Sequence, residues 1–152
     1  MSKVMEWRRW FEYFMRPKIS VAPFLHPVLG AFDFVQDVGW EKSIEIDGRR
    51  VVLNLGSNGE MPNQSMLDCL QYWIGNWVTR RSEINEYMTQ EGRSWYPHDT
   101  APDASQLLLD SIEILWPEKP WICVIYLELP DDERHFKVTF DGHAPVGFAY
   151  DH

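Results

Sequence analysis

The sequence predicts an α+β fold: a single, mainly antiparallel sheet of about six to seven strands, built as a three-stranded meander, a long helix and a four-stranded C-terminal meander, with an amphipathic helix at the N-terminus. Three observations carry this. Trp121 to Leu129 is apolar on both faces of an extended chain, with Trp121, Cys123, Ile125, Leu127 and Leu129 facing one way and Ile122, Val124 and Tyr126 the other. A strand of that kind belongs near the middle of a sheet covered from both sides. Two Asp-Gly pairs, Asp47-Gly48 and Asp141-Gly142, separate alternating segments, and this pair accepts the positive φ that a type I′ hairpin turn needs at both centres. Strands come in runs on either side of a long helical pattern rather than in βαβ alternation, which points away from a parallel sheet.

The length of 152 residues fits one domain, because a chain of this size buries roughly 70% of the surface its unfolded form exposes. The aromatic share of 14%, with eight Trp, is too high for a disordered chain. No apolar run approaches the roughly 20 residues of a membrane span, and Glu6, Arg8, Arg9 and Glu12 interrupt the N-terminal apolar residues, so neither a signal peptide nor a membrane location is expected. Cys69 and Cys123 are most simply small core residues in a reducing compartment, and the cytoplasm is the expected location.

Residues 1–17 form the N-terminal helix, and residues 18–152 form the single α+β domain. Trp7, Trp10, Phe11 and Phe14 make one stripe at helical spacing before Pro17 stops the helix. Such a stripe could lie on a membrane surface, but docking on its own domain or on a second copy, as a homodimer, is the expected role. Lys18 to Gly30, with Pro23 and Pro27, is expected to be an extended surface connector. Phe32 and Phe34 then alternate with Asp33. Trp40, Lys42, Ile44 and Ile46 share one strand face and Glu41, Glu45 and Asp47 the other, and Val51 to Leu55 returns. Gly56-Ser57-Asn58-Gly59 is expected to be a turn; a nucleophile elbow needs Gly-x-Ser-x-Gly.

The long helix is predicted from Gln64 to Gln90, opened by a capping box of Ser65 and Asp68 and stopped by Gly92. Leu67, Leu70, Ile74, Trp77, Ile84 and Met88 form its buried stripe, and Arg80 and Arg81 are expected to be solvated heads on apolar stems. A loop from Trp95 to Pro102 and a short helix from Ala104 to about Leu109 follow. The last four strands centre on Ile112 to Trp116, Trp121 to Leu129, Phe136 to Phe140 and Val146 to Tyr150.

Motifs for chemistry are scarce. The five histidines form no HExxH pair, and no Cys-x-x-Cys occurs, so no metal and no cofactor is expected; Asp141-x-His143 is the best local pair and lies on a turn. Cys123 lies in the strand expected to be the most buried, which makes it a poor catalytic nucleophile. Neither GxGxxG nor GxxxxGK is present, and no catalytic residue is assigned.

What remains is acidity. Residues 1 to 18 hold five basic and two acidic side chains, and the chain's −9 less this +3 leaves −12 on the remainder. Such a body repels nucleic acid and anionic lipid and attracts basic partners. The densest candidates for meeting one are Glu41, Glu45 and Asp47 on one strand face and the Asp131, Asp132, Glu133 tip. The competing expectation is an enzyme or small-ligand domain with a pocket between helix and sheet, its mouth near Trp95, His98, His135 and His143.

The run His26-Pro27-Val28-Leu29-Gly30 before a Phe strand, Trp40 ahead of an Ile-x-Ile-Asp-Gly hairpin, Val-x-Leu-x-Leu, a long helix and a meander ending near Asp141-Gly142-His143 resembles a group of small uncharacterised bacterial domains. Members are often encoded beside polymorphic toxin systems and are suspected immunity proteins. The resemblance spans about residues 26 to 150 and brings no catalytic residues. It implies a non-enzymatic cytosolic binding protein that sequesters a basic partner protein, such as a toxin domain, through an acidic surface.

Overall fold

In the computed structural model, residues 21–95 and 104–151 are described, with the side chains of residues 92–95 left out. The predicted N-terminal helix and its dimer stripe of Trp7, Trp10, Phe11 and Phe14 lie outside the described residues, as does His98.

Eight strands form one mixed sheet in chain order: β1 (Phe24–His26), β2 (Gly30–Val35), β3 (Gly39–Ile46), β4 (Arg49–Leu55), β5 (Leu108–Ile114), β6 (Ile122–Leu129), β7 (Asp132–Asp141) and β8 (Ala144–Asp151). Helix α1 (Gln64–Trp95) connects β4 to β5, and a short 3-10 turn, Ala104–Gln106, precedes β5 in place of the longer helix expected there. Every neighbouring pair is antiparallel except β4 and β5, which run parallel with Val52 opposite Ser111 and Leu55 opposite Ile114. The long helix is therefore the crossover of a single βαβ unit joining two antiparallel meanders.

Three local features differ from the sequence reading. The supposed connector contains β1, whose His26 pairs with Gly30 across a tight turn. Pro23 and Pro27 flank this three-residue edge strand rather than interrupt it, and the His26 ring nitrogen Nδ1 accepts from the Val28 and Leu29 amides at 3.1 and 3.0 Å. Helix α1 is capped by Asn63, not by Ser65: Asn63 Oδ1 accepts from the Met66 amide at 2.8 Å, and Asp68 is instead bonded to Gln64. The helix also runs past Gly92 to Trp95.

The turns follow their residues. Asp47 and Gly48 have φ of 51° and 73°, both positive as a type I′ turn requires. In the last hairpin Asp141 ends β7, and the two-residue loop is Gly142-His143 with positive φ at the glycine alone, the II′ pattern. Between β6 and β7 the loop is Pro130-Asp131, with Asp131 at φ 63°.

The core lies between one face of the sheet and α1. Leu53, Leu55, Ile112, Ile114, Cys123, Ile125, Leu127, Phe136, Val138 and Phe140 meet Met66, Leu70, Trp73, Trp77, Ile84 and Met88 of the helix. β6 is an interior strand, sixth of eight and so off the centre of the sheet. Its Cys123, Ile125, Leu127 and Leu129 face the core, and Val124 on the opposite face is only 4% exposed. Trp121, by contrast, stands before the strand and is 50% exposed.

Arg80 is not a solvated head. It is 7% exposed, with its guanidinium 4.9 Å from the Trp73 ring centre and 5.4 Å from that of Phe140. Glu83 pairs with it at 2.7 Å, and it donates to the His143 carbonyl.

Candidate functional site

Strand direction decides which acidic residues meet. β3 ends where β4 begins, at the Asp47-Gly48 turn, and β6 ends where β7 begins, at Pro130-Asp131; the parallel pairing of β4 with β5 puts both turns at the same end of the sheet. The 3.2 Å ion pair between Arg49 and Glu128 spans the gap between them. Glu45, Asp47, Asp131 and Glu133 are all exposed at this end, three to four strand spacings, or about 15–19 Å, apart at most. Glu128 and Asp110 stand on the same rim, and Asp151, paired with His135 at the end of β8, extends it. Sequence spacing did not place these last three there, because their position follows from the register of non-neighbouring segments.

The other two acidic candidates are placed differently. Asp132 Oδ2 lies 2.7 Å from Arg134 Nη2, and its Oδ1 accepts from the Arg134 amide and Nε at 3.0 and 2.9 Å. That guanidinium also covers the Phe136 and Tyr150 rings. Asp132 is therefore committed to holding the turn.

Glu41 sits toward the opposite end of β3, in a row across the face away from α1: Glu41, Asn54, Glu113, Val124, Thr139. In this row burial raises the Glu113 carboxyl above its ordinary value, while a hydrogen bond from Tyr126 lowers it and the nearby Glu41 raises it again.

The histidines of the pocket reading separate. His143 lies at the far end of the sheet, stacked on Tyr72 with ring centres 4.4 Å apart. His135 is at the acidic end, 3.9 Å from Glu128, and Trp95 is the last residue of α1. A cavity of about 400 Å³ does exist beside His143, between the start of α1 and the loops entering β6 and β8. Asp68, Cys69, Tyr72, Trp73 and Trp121 line it. Trp73 is buried with no hydrogen-bond partner for its indole nitrogen.

Ser57, the residue of the elbow-like run, is occupied as a turn hydroxyl, donating to the Glu60 carbonyl at 2.6 Å and accepting from the Gly59 amide at 3.1 Å. Among the described residues, no group of three His, Cys, Asp or Glu side chains is placed to hold a metal ion, and no helix is long and apolar enough to cross a membrane.

No family model, curated protein or solved structure matches this chain.

Proposed function

We propose that this chain is a non-enzymatic cytosolic binding protein of the immunity type, which sequesters a basic partner protein against the acidic end of its sheet. One observation carries the reading: Glu45, Asp47, Asp131 and Glu133 come from two separate hairpins to one rigid end, and among the described residues none of them makes an ion pair. Of the guanidinium groups beside the two turns, Arg49 and Arg134 are bound to Glu128 and Asp132, and Arg50, opposite Glu45, donates to the Ser43 hydroxyl. Carboxylates fixed on hairpins and left unneutralised steer a cationic surface at range and hold register on contact. The −12 carried by residues 19–152 supports the same reading.

The test is co-purification with the product of the adjacent gene, with the wild type and with a Glu45→Lys, Asp47→Lys, Glu133→Lys variant. Retention that falls at least tenfold in the variant, and falls with added salt in the wild type, is the expected result. Retention indifferent to the three reversals would sink the acidic-end reading.

The cavity beside Trp121 favours a second reading, a small-ligand domain. Its walls are aromatic side chains with Asp68 at the rim. A flat aromatic amine should then quench the tryptophan fluorescence of the wild type saturably, and Trp121→Ala should abolish the effect. Quenching unchanged in the variant excludes this cavity.

A further inference from the structure

Cys69 and Cys123 lie far apart in the chain but meet in the fold. Cys123 on β6 is directly opposite Phe140 on β7, whose ring centre is 4.4 Å from that of Trp73. Trp73 follows Cys69 by one turn of α1, and Cys69 packs against the core cluster that contains Cys123. The two thiols are free and are near neighbours across the helix–sheet interface. They differ in access: Cys123 is buried, whereas Cys69 is half-buried and forms part of the wall of the 400 Å³ cavity.

We propose that Cys69 and Cys123 are an oxidisable dithiol, in which hydrogen peroxide entering the cavity reacts at Cys69 and Cys123 then closes a disulfide between α1 and β6. In the first step the Cys69 thiolate sulfur attacks the peroxide, the O–O bond breaks, and Cys69 becomes a sulfenic acid while the leaving hydroxide takes a proton to become water. In the second step the Cys123 sulfur displaces the sulfenic hydroxyl, an S–S bond forms, and the thiol proton leaves with that hydroxyl as a second water. Two thiols lose two electrons in all, and one peroxide gains them.

The order of the steps follows from the environments. The neighbouring Cys123 thiol holds that of Cys69 below the ordinary value, whereas burial pushes Cys123 well above it. The accessible sulfur is thus also the one that more readily becomes a thiolate. Formation of the bond would replace a thiol–thiol contact with a covalent tie across the helix–sheet interface.

The experiment treats the full-length reduced chain with hydrogen peroxide and follows free thiols, intact mass and peptide maps, with dimedone as the sulfenic acid probe. The expected result is loss of both thiols per chain for one peroxide consumed, a mass lower by two hydrogens, and a peptide joining Cys69 to Cys123 within one chain. Cys123→Ser should accumulate a dimedone adduct at Cys69, and Cys69→Ser should keep its remaining thiol. Retention of both wild-type thiols under conditions that oxidise a free dithiol would overturn the proposal, as would disulfides found only between chains. The wild-type measurement decides this even if a serine variant fails to fold.

Discussion

Arg49 Nη2 lies 3.2 Å from Glu128 Oε2, tying the start of β4 to β6 across the acidic end of the sheet. Both side chains are about one-third exposed, so the pair is worth no more than about 1 kcal/mol to stability. Its larger effect is on charge, because it neutralises one carboxylate of the rim. Arg49→Ala is therefore expected to leave the urea midpoint nearly unchanged and to accelerate association with a basic partner by several-fold at low salt. Stopped-flow rates at two ionic strengths check this; a slower association would show that Arg49 itself contacts the partner.

Arg80 should behave in the opposite way. Its guanidinium packs against both the Trp73 and the Phe140 ring and donates to the His143 carbonyl, so truncation removes a charge-assisted hydrogen bond and a cation–ring contact together. Arg80→Ala is expected to cost roughly 2–4 kcal/mol in chemical denaturation. Arg80→Lys should recover less than half of that, since an ammonium has no planar face to stack. Full recovery by lysine would reduce the role of Arg80 to charge alone.

The position of Arg80 was available in the sequence. Met66, Leu70, Trp73, Trp77, Arg80, Ile84 and Met88 advance by steps of three or four residues, so the helical phase puts Arg80 on the buried seam with its apolar neighbours. Reading the residue type ahead of the phase placed it in solvent. Other features were legible because they depend on local chemistry: Asp47-Gly48 takes its turn from its own backbone, and the apolar run of β6 announces an interior strand. The β4–β5 pairing was not legible, because β4 could pair with any strand that follows the helix, and the choice is made by packing across the core. The same holds for the acidic end. The separate acidic segments were visible, but their convergence needed that parallel pairing, and the capture of Asp132 by Arg134 depends on side-chain geometry. Cys69 and Cys123 met for a similar reason, since their contact depends on how α1 crosses the sheet.

Ile125 tests the spine of the sheet. It is fully buried on the core face of β6, between Ile112 and Val138 on the neighbouring strands. Ile125→Ala should destabilise by roughly 2–5 kcal/mol through lost burial and the cavity left behind. Lys137→Ala, on the exposed side of β7, should change stability by less than about 0.5 kcal/mol. Equal effects at the two positions in equilibrium unfolding would contradict the packing of α1 on this face.

Glu113 gives the sheet face away from α1 a pH signature. Burial, and to a lesser degree the charges of Glu41 and Asp110, hold its carboxyl above the ordinary value of 4.5, although the Tyr126 hydroxyl works in the other direction. The folded chain therefore binds this proton more tightly than the unfolded chain does. Below about pH 4 both states are protonated and the group contributes no penalty. As pH rises through 4.5 the unfolded state ionises first, and the wild type loses stability until the folded carboxyl has also ionised. Glu113→Gln retains an amide oxygen that can accept from Tyr126 and removes the titration. Its stability advantage over the wild type should be near zero at the acid end, grow as the pH is raised through the wild-type transition, and then level off. Parallel denaturation series of the two proteins from pH 3.5 to 7.5 measure that difference directly. A difference that stays constant with pH would mean that Glu113 titrates alike in both states and that its row is open to water.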